Sequence, residues 1–218
     1  MLRSPSLAIF GAFFLAGPAL LPRAPARPAV LAPASASESV AVFAGGCFWG
    51  IEGVFEHLKG VKSATAGYAG GTVDRPSYED VSSGETGHAE SVRVVFDPAV
   101  ISYHQLLEVF FLVAHDPTEL DRQGPDVGTQ YRSIAFYNSP EQRQQVQSYI
   151  AELAAAHRFS APIVTQVVPL KAFFPAEEYH QHYMRLHPDQ PYIMYNDAPK
   201  VARLKQVYPK LYVEPAGA

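Results

Sequence analysis

The chain has 218 residues, 48% of them hydrophobic, and a formal net charge of −4. This length can bury a sizeable core, and the absence of a basic run argues against nucleic acid or an anionic membrane as a partner. A single cysteine excludes an internal disulfide, so packing must hold the fold together.

Residues 1–36 are predicted to be a secretory signal peptide followed by a Pro/Ala-rich linker. Arg3 precedes an apolar run that is too short for an ordinary membrane span. Cleavage sites of the small-x-small type occur at 24–26 and 34–36, and the pattern does not choose between them. Loss of residues 1–36 removes three arginines and no acid, which takes the net charge from −4 to −7. We expect an exported, periplasmic domain over residues 37–218, with an uncleaved membrane anchor as the alternative.

The only cysteine and the only tryptophan of the chain are neighbours, Cys47 and Trp49. A short apolar strand over 39–43 and two glycines precede them. A helix follows, because apolar residues recur with helical spacing at Ile51, Val54, Phe55 and Leu58. Cys47 therefore lies at a helix N-terminus, where free N–H groups and the helix dipole are expected to lower the pKa of a thiol.

The rest of the chain alternates between strands and helices. A glycine-rich turn near residue 70 leads into a long aperiodic loop over 72–88, and loops of this length are commonly functional. Strands are predicted over 61–68, 90–96, 131–137 and 162–168, and helices over 106–113, 140–153, 176–186 and 201–207. This order favours a single α/β domain with a mixed sheet.

Glu90 opens a strand and has the same parity as the apolar residues that follow it, Val92 and Val94. The carboxyl group is therefore aimed at the apolar side of the sheet. Burial raises the pKa of a carboxyl group, so Glu90 is predicted to be a proton donor. An ion pair between Glu90 and an arginine is the alternative.

Aromatic rings beside a thiol form a pocket for a small, soft, apolar group. Such a pocket is predicted around Cys47 from Phe48 and Trp49. With the acid Glu90 it suits attack by sulfur on a polar, uncharged centre whose oxygen must be protonated in order to leave.

At several segments the chain resembles peptide-methionine sulfoxide reductase A. The matching segments are GCFWG at 46–50, GETGHAE at 84–90, HDP at 115–117 and GTQYRS at 128–133. They follow the order and spacing of that family, and the resemblance covers roughly residues 40–187. It implies a two-layer ferredoxin-like plait and the reduction of the S epimer of methionine sulfoxide, in proteins or free, for repair after oxidative damage.

The resemblance also implies the roles of individual residues. Cys47 attacks the sulfoxide sulfur and becomes a sulfenic acid, while Glu90 protonates the oxygen. Tyr78 and Tyr131 are expected to hydrogen-bond that oxygen. Phe48, Trp49 and Asp126 are expected to line the pocket around the substrate.

Many relatives carry a second cysteine near the C-terminus, and this chain has none. We therefore expect an external thiol, a thioredoxin-like protein or a dithiol, to recycle Cys47. We expect a monomer without bound cofactor or metal, whose partners are sulfoxide-containing proteins or peptides and the thiol donor.

Two other classes of function remain open. A cysteine hydrolase would pair Cys47 with His88 or His115 as its base and would need no reductant. A non-enzymatic peptide-binding module would keep the aromatic pocket without using the thiol. A metal site is not expected at His180 and His182, which lie on opposite sides of the predicted helix. The pattern instead favours a surface pair between Glu178 and His182.

Overall fold

The computed structural model describes residues 38–215. The predicted signal peptide and its cleavage sites lie outside the described residues. Within the described part, every helix is too short or too polar to cross a bilayer.

Six strands form one mixed sheet, and two short strands form a separate hairpin. The strands are β1 (Ser39–Ala44), β2 (Val61–Ala69), β3 (Ala89–Phe96), β4 (Arg122–Gln123), β5 (Asp126–Val127), β6 (Ile134–Tyr137), β7 (Gln166–Pro169) and β8 (Phe173–Pro175). The main sheet has the order β7-β6-β1-β3-β2-β8. Adjacent strands in this sheet are antiparallel, except that β6 and β7 are parallel. The predicted mixed α/β sheet in a single domain is confirmed.

Helices join the strands. They are α1 (Phe48–Glu56), α2 (Tyr78–Ser82), α3 (Tyr103–Val109), α4 (Pro140–Ala155), α5 (Tyr183–Leu186) and α6 (Ala198–Val207). π-helical turns over Phe110–Ala114 and Ile193–Asp197 extend α3 and precede α6, respectively.

The main core lies between one face of the sheet and the helices. Along β1, Ala41 and Phe43 belong to this core, whereas Val42 and Ala44 belong to a smaller cluster on the other face. This is the alternation that the pleat of a strand produces. Phe43 stacks on Phe55 of α1 with their ring centroids 5.4 Å apart, so β1 and α1 are fixed to each other on either side of Cys47.

Two predicted strands and one predicted loop differ from the structure. The predicted strand 131–137 is shorter, because Thr129–Tyr131 forms a 3-10 turn. The predicted strand 162–168 lies later, at β7. The aperiodic loop 72–88 contains the unpredicted helix α2, whose capping box of Ser77 and Asp80 is a local signal for it.

The helix predicted over 176–186 is wrong. β8 pairs with β2, and the chain then forms a 3-10 turn and the short helix α5. The Gln181 side chain bonds both the N–H and the C=O of Ala66, each at 3.0 Å. His182 then has a φ of 55°, which interrupts a helix. Hydrogen bonds to β2 therefore take the place of those inside a helix.

The C-terminal segment packs back on α1. Lys59 N–H donates to the carbonyl of Leu211 at 2.8 Å, and Val213 N–H donates to the carbonyl of His57 at 2.9 Å. These bonds hold the segment that follows α6 at the C-terminal end of α1. They also keep α6 beside the helix that begins at Cys47.

Candidate active site

Cys47 is the N-cap residue of α1, at the end of the turn that follows β1. Gly46 in that turn has a φ of 97°, and a Cβ there would lie 2.5 Å from the side chain of Gln123. The turn therefore requires glycine on both conformational and steric grounds. The Cys47 thiol is free and only 8% of the residue is exposed.

The expectation that the helix N-terminus lowers the pKa of Cys47 is wrong. Burial raises the pKa of this thiol well above its usual range, and the carboxyl groups of Glu90 and Asp197 raise it further. A hydrogen bond from the Trp49 backbone and the charge of Lys200 act in the opposite direction and are weaker. Desolvation thus raises the pKa of the thiol by more than the helix N-terminus lowers it.

Glu90 lies on β3 and is 3% exposed, as its parity predicts. The backbone N–H of Phe48 donates to its Oε2 at 3.0 Å. Burial raises the pKa of Glu90 to about 8, although that hydrogen bond favours the ionised form. No salt bridge among residues 38–215 involves Glu90, so the alternative of an arginine pair is not supported. At neutral pH this carboxyl group carries a proton.

Tyr78 begins α2 and is held in place by Glu177. One oxygen of this carboxylate accepts from the backbone N–H of Tyr78 and the other from the hydroxyl of Tyr68, both at 2.9 Å. Burial raises the pKa of Tyr78 and Tyr131, and the charges of Glu90 and Cys47 raise both further. Both hydroxyls are therefore protonated donors within electrostatic reach of the thiol and the acid.

The two predicted aromatic walls differ in exposure. Phe48 is 1% exposed and packs against Tyr68 and His180. Trp49 is half-buried and stacks on Tyr183, with ring centroids 3.8 Å apart and planes 10° from parallel. Its indole N–H donates to Nδ1 of His180 at 3.1 Å. Trp49 is thus the ring with an exposed part that a ligand can contact, and Phe48 lies beside it with the ring centroids 6.4 Å apart.

Asp126 lies on β5 and is half-buried. Its carboxylate accepts a hydrogen bond from the hydroxyl of Tyr192. Burial raises its pKa, while that bond and Lys200 lower it. The charge of Asp126 in turn raises the pKa of Glu90, so the structure brings Asp126 into the electrostatic environment of that acid.

The C-terminal segment contributes residues to the site that were not predicted from the sequence. Tyr192, Asp197 and Lys200 all influence the charges around Cys47, and His180 contacts both predicted aromatic walls. No local pattern marks these residues, since they lie beyond the matched motifs. Gly50 in α1 is the one indirect signal, because a glycine inside a helix often marks a close contact.

His88 and His115 are both structural. The ring of His115 bonds the carbonyl of Phe110 at 2.8 Å and the hydroxyl of Ser133 at 2.7 Å. The ring of His88 bonds the N–H of Gly71 and the carbonyl of Val73. Both nitrogens of each ring are engaged away from the thiol, so neither histidine is placed as the base of a hydrolase.

His182 does not form the predicted surface pair with Glu178. Its side chain bonds Glu56 of α1 instead, and its backbone N–H donates to Glu52 at 2.8 Å. The ligand atoms of Glu52, Glu56 and His182 lie within 4.8 Å of one another, which is a spacing that could hold a cation. Glu52 also accepts from the backbone of Ala66, so hydrogen bonds account for this cluster. That the chain binds no metal stays a prediction.

A thiol, a protonated carboxyl group and two phenolic donors thus meet beside a half-exposed indole ring. The sulfur can attack an electrophile, and the acid can protonate an oxygen that leaves. The ring offers an apolar surface to the rest of the ligand.

Comparisons with known proteins give one family. Residues 39–211 match the family model described as peptide methionine sulfoxide reductase. Peptide methionine sulfoxide reductase MsrA 2 of Mesorhizobium japonicum is 55% identical over 181 residues, which cover 83% of this chain and 93% of that protein. Two solved structures are similar: reduced Mxr1 of Saccharomyces cerevisiae (34% identity, TM-score 0.65, 71% of this chain and 88% of that one) and methionine sulfoxide reductase A of Corynebacterium diphtheriae (36%, 0.62, 71% and 77%).

Proposed function

Because the chain belongs to the peptide methionine sulfoxide reductase family and is therefore an oxidoreductase that acts on sulfur, we propose that Cys47 is the nucleophile of this reaction. The protein reduces methionine sulfoxide, and we assign it the S epimer, in proteins or free. The observation that carries the proposal is the buried Glu90, with its pKa raised to about 8, joined by a hydrogen bond to the residue that follows Cys47.

The reductive step transfers one oxygen and two electrons. The sulfur of Cys47 attacks the sulfoxide sulfur and forms an S–S bond while Glu90 protonates the oxygen, so that the S–O bond can break. The departing hydroxide then attacks the sulfur of Cys47, which breaks the S–S bond and releases the thioether. The sum of the step is sulfoxide plus thiol giving thioether plus sulfenic acid. The proton lost by the thiol and the proton supplied by Glu90 balance once the oxygen is bound to Cys47.

Tyr78 and Tyr131 are proposed to donate hydrogen bonds to the sulfoxide oxygen. Donors that are fixed before the reaction stabilise the charge that develops on oxygen as the S–O bond weakens. The contact between Glu177 and the N–H of Tyr78 supports this role, because it fixes the start of α2. Trp49, backed by Phe48, would contact the methyl group on the substrate sulfur, and Asp126 would hold the polar part of the substrate.

The sulfenic acid must be reduced by a thiol from another molecule. The 218 residues contain one cysteine, so no second thiol of this chain can form a disulfide with Cys47. A thioredoxin-like protein or a small dithiol would attack the sulfenic sulfur, release water and form a mixed disulfide. A second thiol would then release Cys47.

Further parts of the proposal concern the whole chain. We assign residues 1–36 to a signal peptide and linker, and residues 37–218 to the reductase domain. We place the mature protein in the periplasm as a monomer without metal.

For the fold, we propose a ferredoxin-like plait. The central strand order β6-β1-β3-β2, in which adjacent strands are antiparallel, supports it. Core residues of the helices lie in one cluster on one face, which supports two layers.

Dependence on a reductant tests the function. Repeated turnover of a peptide methionine sulfoxide should require dithiol, and Cys47→Ser should abolish it. A hydrolase would act without reductant, and a binding module would bind the peptide and leave its sulfoxide intact even when dithiol is present. Either of those results with the unmodified chain would overturn the proposal.

A further inference from the structure

A charged pair from the C-terminal segment lies directly on α1 beside Cys47. Lys200 of α6 and Asp197, which precedes that helix, join Nζ to Oδ1 at 3.1 Å. A Cβ on Gly50 would lie 2.1 Å from Oδ1 of Asp197 and 2.8 Å from Nζ of Lys200. Only a glycine at position 50 lets this pair approach the helix so closely.

Gly50 follows Cys47 by three residues, so both lie on the same side of α1. A side chain on a helix leans toward the helix N-terminus, which here is the end occupied by Cys47. The space that Lys200 and Asp197 fill in place of a Gly50 side chain is therefore the space next to the thiol.

The pair is largely shielded from water. Asp197 is 0% exposed, and the Lys200 side chain is 18% exposed. Oδ2 of Asp197 has no hydrogen-bond partner within the described residues. A surface ion pair would contribute little, whereas a charge held in this low-dielectric setting acts strongly on its neighbours.

The environment of Cys47 is otherwise acidic or neutral. Among the described residues, the titratable and charged groups that interact with Cys47 are Glu90 of β3, the phenols of Tyr78, Tyr131 and Tyr192, and the pair Asp197 and Lys200. Asp126 of β5 acts on Glu90, and the ring of His115 lies within electrostatic reach of Lys200. Among all these groups Lys200 supplies the positive charge, since burial lowers the pKa of His115 to about 4 and leaves its ring neutral.

We propose that Lys200 is the counter-charge of the Cys47 thiolate, and that Asp197 is a positioning residue that holds its ammonium group against Gly50. The proposal rests on the assignment of Cys47 as the nucleophile. The 218 residues contain no second cysteine, so the C-terminal segment would contribute a fixed positive charge that stabilises the thiolate rather than a second thiol. The same ammonium would stabilise the anionic form of the sulfenic acid.

Alkylation of Cys47 by iodoacetamide tests the proposal without any sulfoxide substrate, because its rate follows the thiolate fraction. Removal of Lys200 alone would leave Asp197 buried and unpaired, and Asp197 would then take up a proton. The informative comparison is therefore Asp197→Asn against Asp197→Asn/Lys200→Met. The matched control is Lys205→Met, since Lys205 lies on the same helix but pairs with Glu214 at the surface.

We expect the alkylation midpoint to fall in Asp197→Asn relative to the unmodified chain. In the double variant it should rise by about one pH unit above that of Asp197→Asn. Lys200→Arg in the Asp197→Asn background should restore the lower midpoint, and Lys205→Met should leave the midpoint of the unmodified chain unchanged. Circular dichroism melts identify any variant that does not fold, and in that case Lys200→Gln in the Asp197→Asn background replaces Lys200→Met, because it also removes the charge.

Equal midpoints in Asp197→Asn and in its Lys200→Met derivative would overturn the proposal. So would a rise in both, which would indicate a general loosening of the pocket. Methionine release by the unmodified chain is measured separately. If no methionine is released while the midpoints shift as expected, the proposed function fails and the charge assignment stands.

Discussion

The backbone N–H of Phe48 donates to Oε2 of Glu90 at 3.0 Å, which joins the first turn of α1 to the beginning of β3. The residue that follows Cys47 therefore fixes the position of the Glu90 carboxyl group. Burial raises the pKa of Glu90 to about 8, and it raises the pKa of the Cys47 thiol as well. In the resting state at neutral pH both groups hold their protons.

Glu90→Gln should slow methionine release from pre-reduced protein by about 10²- to 10⁴-fold, the range that general acid catalysis supplies. Glutamine keeps an oxygen for the Phe48 N–H but has no proton to give. The rate is measured in a single turnover by quenched flow. An unchanged rate would remove Glu90 as the acid, and a melting temperature equal to that of the unmodified chain would show that the fold is intact.

The single-turnover rate should depend on pH in a bell-shaped manner. The reactive form has a thiolate on Cys47 and a proton on Glu90, so the pair together holds one proton. Below about pH 8 both groups are protonated and the rate falls; above the raised pKa of Cys47 both have lost their protons and it falls again. In Glu90→Gln the decline at high pH should disappear. A rate in the unmodified chain that decreases steadily from pH 6 to 8 would contradict this account.

Tyr78→Phe and Tyr131→Phe should each lower kcat, on the order of 10²-fold, with a smaller effect on KM. Each change removes one hydroxyl donor that acts on the developing charge rather than on the bound sulfoxide. Tyr137→Phe is the matched control, because Tyr137 lies on β6 and contacts Arg143 away from the thiol. Equal effects at all three positions would show that the loss is structural.

His115 should make the fold sensitive to acid. Its pKa is lowered by burial to about 4, against about 6.5 in an unfolded chain, so between these values the unfolded state binds more protons. Its contribution to stability is therefore complete above pH 6.5 and is lost as pH falls toward 4, by at most about 3 kcal/mol. His115→Gln should be less stable at pH 7 and should lose less stability on going to pH 5. Urea unfolding at the two pH values measures this, and parallel losses in both proteins would contradict it.

The positions of Cys47 and Glu90 could be predicted from the sequence because both depend on local patterns. A strand, two glycines and a helical periodicity define the N-cap, and strand parity defines the face on which Glu90 lies. Tyr78 and Tyr131 were predicted only through the family resemblance, since neither the short helix α2 nor the 3-10 turn before β6 has a hydrophobic period.

The C-terminal half of the site could not be predicted in this way. Asp197 and Lys200 are far from Gly50 in the sequence, and no pattern within either segment indicates that they are in contact. The same separation along the chain explains the wrong expectation for the pKa of Cys47. The helix N-terminus is visible in the sequence, whereas the burial and the carboxyl groups that outweigh it arise only when the chain is folded.

The number of methionine molecules released per chain in a single turnover tests most directly whether Cys47 takes the sulfoxide oxygen. The chain is reduced, freed of small thiols and mixed with a blocked methionine S-sulfoxide, and the methionine released per chain is measured before the protein is weighed by mass spectrometry. We predict about one methionine per chain and the gain of one oxygen on Cys47. No methionine with the sulfoxide intact, or release without change at Cys47, would contradict the proposed mechanism.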